Sequence, residues 1–405
     1  MASGESSTFS DSNFDLLSET SETDDVAKKR PKATKKKTAT NLKPIPPDAF
    51  ANYQLCLFQD FLANTNDEKA QLGNVFDLWD SIPRFSISRK RQEEMRLPSG
   101  SLPICTIEFK YRGYEFRIQI RPARLIDPVT GTETEYYPGA REELVEHALR
   151  KMAVDDGFYD VAEFRSGCRF TLHQLRTHLE KQGHSLRYDE LIEALDILSF
   201  SIIDIQGETE NTEISYTRMN YLSLLAKVSR KGNSLINNQE SKWLVQFHPL
   251  ITNSISNLTY RQFNYRRLMK CRSQLSRWLI SQLVLKYTQA SLTNSFIMRY
   301  STIKRDSALL EGYKRERDAI AALDSSWNEL KTLGVLTSYT KSEERGKRGK
   351  IEEVIYTIYP SPEFTSEQKA SNRRLNDAKN AANEGNGSLV AINSRGIGRG
   401  FKTPS

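Results

Sequence analysis

"FTLHQLRTHLEKQGHSLRYDELIEALDILSFSIIDIQGETENTEISYTRM" runs from Phe170 to Met219. Thr171 stands where a helix N-cap belongs, and Gly183 where the helix would stop. A second helix is expected from Ser185, with Tyr188, Leu191, Ile192, Leu195 and Leu198 at helical spacing and facing inward. A strand, a polar turn and a strand follow. Just upstream, "AREELVEHALRKMA" (Ala140–Ala153) repeats Leu144, Val145, Ala148, Leu149 and Met152 at the same spacing. Three helices and then a strand pair is the winged-helix order, a helix-turn-helix with a hairpin appended.

Working outward, the order recurs. Thr259 and Gln262 fit a capping box, so a long helix is expected to start there or a few residues later. "NYRRLMKCRSQLSRWLISQLVLKY" (Asn264–Tyr287) continues it. "YSTIKRDSALLEG" supplies a second helix from Ser301. A third has the stripe Ile320, Leu323, Trp327 and Leu330 and stops at Gly334. "VLTSYTKSEERGKRGKIEEVIYTIY" is then a hairpin with a polar tip. Ahead of both copies, Ile104–Ile120 alternates as strands, with a turn at Arg112-Gly113. The sequence therefore predicts an α+β, mainly helical chain of two tandem winged-helix domains with disordered N- and C-terminal tails. The predicted limits are 1–48 for an acidic-then-basic tail and 49–240 for the first domain with its preceding hairpin. The second domain is expected at 241–364 and a flexible tail at 365–405.

The length of 405 residues suits about two domains plus tails. No apolar run is long enough to cross a membrane, and the N-terminus lacks the pattern of a secretory signal. Four scattered cysteines give neither a disulfide framework nor a zinc site and fit a reducing compartment. A cytoplasmic setting is expected.

Charge separates the two copies. In the first, the third helix carries Asp189, Glu190, Glu193 and Asp196, and its hairpin carries Glu208, Glu210 and Glu213. Carboxylates there would repel phosphate, which points that copy towards protein contacts. From Thr259 to Tyr359 there are 19 Lys/Arg and 10 Asp/Glu, a net of +9, against +7 for the whole chain. At about 100° per residue, Leu268, Cys271, Leu275, Trp278 and Leu279 form the buried stripe of the 264–287 helix. Arg266, Lys270 and Arg277 fall on its opposite side. These, with Lys304, Arg305, Lys314, Arg315 and Arg317 and the hairpin tip Arg345, Lys347, Arg348 and Lys350, are the candidate DNA-binding residues. Phosphate contacts would position the domain, and Arg315 and Arg317 would reach guanine edges. Tyr260, Tyr265 and Trp278 are expected in the core.

No catalytic or metal-binding constellation stands out, and no cofactor is expected. "RGKRGK" lacks phosphate-loop spacing and lies on a hairpin. His173 and His178 share no helical face. "HALR" (His147–Arg150) matches the His-x-x-Arg of tyrosine recombinases by four letters only.

"YYPGAREELVEHALRKMA", "GCRFTLHQLRTHLEKQGHSLRYDELIEALDILS" and "FHPLITNSISNLTYRQFNYRRLMKCRSQLSRWL" together resemble plasmid-encoded RepA-type replication initiators, over roughly 136–359. The resemblance implies two winged-helix domains, the first for dimerisation and the second for DNA. It also implies binding to repeated sites in double-stranded origin DNA, opening of adjacent AT-rich DNA, and recruitment of the host initiator and replicative helicase. A monomer–dimer equilibrium would link initiation to copy control in the bacterial cytoplasm. The rival readings are a winged-helix transcriptional regulator without a replication role and, as an enzyme, a nicking initiator.

Overall fold

The computed structural model describes residues 55–127, 129–160, 163–209, 212–228 and 241–385. The N-terminal tail expected at 1–48, and residues 386–405 of the C-terminal one, lie outside them. The described chain is α+β.

The turn at Arg112-Gly113 is as expected. Both residues have positive φ, 52° and 89°, which suits a tight hairpin between β2 (Cys105–Tyr111) and β3 (Tyr114–Arg121). Helix α4 (Ala140–Asp156) follows, then β6 (Gly157–Asp160) and β7 (Arg165–Thr171). In α5 (Leu172–Lys181), Thr171 accepts from the Gln174 N–H while Gln174 returns to the Thr171 N–H, a full capping box. Gly183 takes φ +92° just beyond the helix end. Helix α6 (Tyr188–Phe200) starts three residues later than expected. Its cap is Arg187, whose N–H is bound by Glu190, and not Ser185.

The hairpin after α6 has a different role from the one expected. Strands β8 (Ile202–Thr209) and β9 (Thr212–Asn220) join β2 and β3 in a sheet of order β2-β3-β8-β9. The pair that returns to the helices comes next, β10 (Leu222–Val228) and β11 (Lys242–Phe247), in the order β10-β11-β7-β6. In the later half, α9 (Gln274–Lys286) is followed by β13 (Phe296–Arg299), α10 (Tyr300–Ser307) and α11 (Glu316–Thr332). Strands β14 (Leu336–Arg345) and β15 (Ile351–Pro360) then pair as β13-β15-β14. Strands β7, β11 and β10 thus stand to one half as β13, β15 and β14 stand to the other.

The long helix expected from Thr259 is three elements. Residues Tyr260–Asn264 form β12, paired antiparallel with β1 (Leu72–Phe76) from the far end of the sequence. Gly73 makes that approach possible, because a Cβ there would lie 2.9 Å from the Tyr265 Cβ. The ladder to β1 overrides the local capping signal. Asn264 then caps α8 (Tyr265–Met269), and Ser273 caps α9. The C-terminal flexible tail also needs correction. Residues Pro362–Gly385 form α12, with Phe364, Gln368, Ser371 and Arg374 buried. Arg374 donates to Asn74 Oδ1 at 2.7 Å and to the carbonyls of Leu57 and Phe58 at 3.0 Å. The second half therefore takes a strand and several acceptors from residues 55–76.

Helix α4 has the apolar face read from the sequence, yet its polar face is buried as well. Glu142, Glu143, Glu146, His147, Arg150 and Lys151 are all inside. Asp80 accepts from Arg150 at 2.8 and 2.9 Å and from Arg84 at 3.2 Å. Glu146 accepts from Arg84 at 2.7 Å and from the Trp79 indole at 2.5 Å. His147 and Arg150 of the "HALR" match belong to this network, where Arg150 donates to His147 Nδ1.

Burial, with Arg150 beside it, holds His147 well below its usual range. Burial likewise pushes His248 down to about 3 and His178 to about 4. An unfolded chain takes up these protons near pH 6.5, whereas the folded one does not. Their stabilisation is complete above that pH and is lost as pH falls towards 4. At pH 5 His248 and His178 are each expected to cost roughly 2 kcal/mol. Asp196, pushed up to about 6 by burial, acts in the opposite sense and offsets about 1 kcal/mol. Urea melts at pH 7.5 and pH 5 check this, and equal stabilities would refute it.

Candidate nucleic-acid interface

Helix α10 ends at Ala308, in the left-handed region with φ 51°, and a short turn leads to α11. Arg315 is the residue at the α11 N-cap, and Lys314, Arg315 and Arg317 are exposed there. Glu316 and Asp318 occupy the first turn, where the helix dipole favours them. Arg317 lies 3.4 Å from Asp318. No acidic partner is recorded for Lys314 or Arg315 among the described residues.

The β14–β15 ribbon is ten residues per strand, on the order of 30 Å long, and its outer half stands clear of the core. Its base is fixed to α11 through Asp324, which accepts from Tyr356 Oη at 2.7 Å and Lys341 Nζ at 2.9 Å. It is fixed to α10 through Glu353, which accepts the Ser301 N–H at 3.1 Å. At the tip, Arg345 pairs with Glu343 at 2.6 Å and donates to the Gly349 carbonyl at 3.2 Å. Lys347 and Lys350 are exposed, and Gly349 turns the chain at φ +71°. The side chain of Arg348 lies outside the described residues.

Glu316 ties α10 to the first turn of α11. Burial raises its pKa, but hydrogen bonds from Tyr300 and Lys304, with the charges of Lys304 and Lys350, bring it below the usual carboxylate range. The structure thus brings Lys304 of α10 to Glu316 of α11, with Lys350 close enough for its charge to act there and Lys314, Arg315 and Arg317 flanking Glu316 along the chain. Lys304 is partly neutralised there by Glu316, 3.1 Å away. Arg305 binds its neighbour Asp306 at 2.7 Å, and Asp306 accepts the Lys110 N–H of β2 at 3.0 Å. That turns Arg305 towards the β2–β3 hairpin, where a cavity of about 360 Å³ is lined by Arg305, Glu108, Lys110 and Glu115.

Arg277 is a correction. It is 3% exposed and donates to Glu143 from Nε at 3.0 Å and from Nη2 at 2.8 Å. Its helix face looks into the joint with α4, so it reaches no external ligand. Helical periodicity places it opposite the apolar stripe, but both faces of α9 are covered. Arg266 on α8 and Lys270 at its C-cap are exposed, yet lie away from the α11 N-terminus. Tyr260, Tyr265 and Trp278 are buried, as expected.

The charge contrast read for the first half also changes. Glu208 lies on β8 and Glu213 on β9, not on the pair that returns to β7, and Glu210 lies outside the described residues. The connection within that pair is 229–240, whose sequence includes Arg230 and Lys231, and it lies outside the described residues. On α6, Glu193 is bound by Arg141 at 2.7 Å and Asp189 by Arg187 at 3.1 Å. These carboxylates are compensated within the fold, and a bare acidic face is not what α6 presents.

No family model matches the chain, and no curated protein does. Among solved structures, domains 2 and 3 of RctB share 12% identity at a TM-score of 0.39, over 66% of this chain and 95% of that one. A second RctB domain 2–3 structure gives 12% and 0.39, over 68% and 97%. The Pi initiator protein in complex with iteron DNA shares 13% at 0.30, over 74% of this chain and all of that one. Each is a distant likeness and assigns no residue here.

Proposed function

We propose that the chain is a plasmid replication initiator of the RepA kind, built from two winged-helix modules. The later module reads double-stranded origin DNA with the α11 N-terminus and the β14–β15 wing. The supporting observation is the exposure of Lys314, Arg315 and Arg317 around the α11 N-terminus, with Lys350 of the ribbon near enough for its charge to act on Glu316 in the same turn. Arg315 and Arg317 point to base edges, and the wing cations to phosphate. Self-association belongs to the earlier half, whose β9 is an outer strand of its sheet among the described residues. A monomer–dimer equilibrium, origin opening, contacts with the host initiator and helicase, copy control and a bacterial cytoplasmic setting complete the proposal. Among the described residues no helix is long and apolar enough to cross a membrane.

Footprinting on the DNA flanking the gene tests it, with protection of a repeated element expected; no protected element would overturn it. Replacing Arg345, Lys347, Arg348 and Lys350 with alanine is expected to reduce the salt slope of binding by about 3 and affinity by roughly 10²-fold at 0.1 M salt. An unchanged slope would remove the wing from the interface. A transcriptional regulator would give the footprint too, but the protected DNA would not replicate autonomously with this gene.

A further inference from the structure

Residues 241–305 contain 11 Lys/Arg and no Asp or Glu. Two cations that fold inward from the middle of this tract take their carboxylates from distant sequence. Arg277 uses Glu143, and half-buried Arg267 uses Glu367 at 2.7 Å. Arg266, Lys270 and Arg272 do neither. All three are exposed, and no acidic side-chain partner is recorded for them among the described residues. Exposed arginines elsewhere are commonly compensated by a nearby acid, as Arg117 is by Glu108 and Arg91 by Glu94.

The corner that carries these three is rigid. Asn264 accepts the Arg267 N–H at 2.9 Å, and Ser273 accepts the Leu275 N–H at 3.1 Å. Glu329 of α11 accepts the Arg272 N–H at 2.7 Å. From the earlier half, His184 Nε2 meets the Met269 carbonyl at 2.7 Å, and His178 Nε2 meets Tyr265 Oη at 2.9 Å. The three cations are thus presented from a fixed seam between the halves, with little backbone ordering left to do on binding. Glu329 also fixes their place. It lies 14 residues beyond Arg315, about 20 Å along α11 from the end assigned to base reading.

We propose that the α8–α9 corner is a second DNA-backbone surface, engaging duplex phosphates outside the element read by α11 and the wing. This rests on the DNA-binding reading above. A surface whose three exposed cations have no acidic side-chain partner among the described residues fits a polyanion, and three separate point charges on a fixed frame suit phosphates spaced along a backbone.

The test uses the full chain and two labelled duplexes, the footprinted element alone and the same element with roughly 20 flanking base pairs on each side. Wild type is expected to bind the flanked duplex about tenfold more tightly at 0.1 M salt, with a salt slope larger by 2 to 3. The triple variant Arg266→Ala, Lys270→Ala, Arg272→Ala is expected to lose that gain while binding the bare element within about twofold of wild type. A triple glutamine variant, with thermal melts of both, guards against a folding defect. Equal losses on both duplexes would place the corner on the recognition face and overturn the proposal. So would no loss on either, or a wild type indifferent to the flanks. Failure of wild type to bind the element at all would overturn the DNA-binding reading itself, and this proposal with it.

Discussion

Glu143→Ala is expected to lose about 3 to 5 kcal/mol of unfolding free energy, read from urea melts at pH 7.5. The substitution leaves Arg277, 3% exposed, without its carboxylate. The guanidinium keeps one hydrogen bond, to the Cys271 carbonyl at 3.0 Å, and Gln274 loses an acceptor at 3.2 Å. The penalty comes from an uncompensated buried charge more than from the attraction removed. For that reason the double variant Glu143→Leu, Arg277→Met is expected to recover most of the loss. A single variant within about 1 kcal/mol of wild type, or a double variant no better than the single, would show that this pair does not hold the joint.

The second large effect concerns a fragment of residues 241–385, the second domain expected at 241–364 extended through α12. It is expected to show no cooperative thermal transition. It lacks β1, so β12 loses its paired strand. It lacks Asn74 and the carbonyls of Leu57 and Phe58, which leaves the guanidinium of buried Arg374 without those acceptors over the Tyr260 ring, 5.4 Å away. It also lacks Glu143. Unpaired buried groups of this kind cost about 1 to 3 kcal/mol each, and more when charged, which is comparable to the whole stability of a small domain. Adding a peptide of residues 55–81 is expected to restore part of the near-UV circular dichroism signal. A sharp melt of the fragment by itself would show that the module is self-contained.

Particular elements show how far the sequence could be read. Thr171 with Gln174, Gly183 and the Arg112-Gly113 turn were legible because capping and turn chemistry act over three or four residues. The stripes of α6 and α11 were legible because one face of each is buried and the other is wet. The same periodicity misled at Arg277 and along α4, where both faces are covered and a charged side chain inside carries no sign of its burial. Of the candidate site, the cations of the β14–β15 ribbon and of the α11 N-terminus were read from charge and order. The separation of Arg266 and Lys270 from them was not, since it depends on where α8 ends and how Glu329 pins the corner. Arg272 gives no periodic signal at all, because it lies beyond that helix.

The sequence by itself determined the local elements, the repeated order of helices and strands, and the sign of charge at the α11 end. Those follow from interactions among near neighbours in the chain. Only the tertiary structure decided which hairpin returns to the first set of helices, that β1 crosses nearly 190 residues to pair with β12, and which cations point inward. Strand partners and buried ion pairs are chosen between segments far apart in sequence, by burial and mutual satisfaction of polar groups, and no local pattern records that choice.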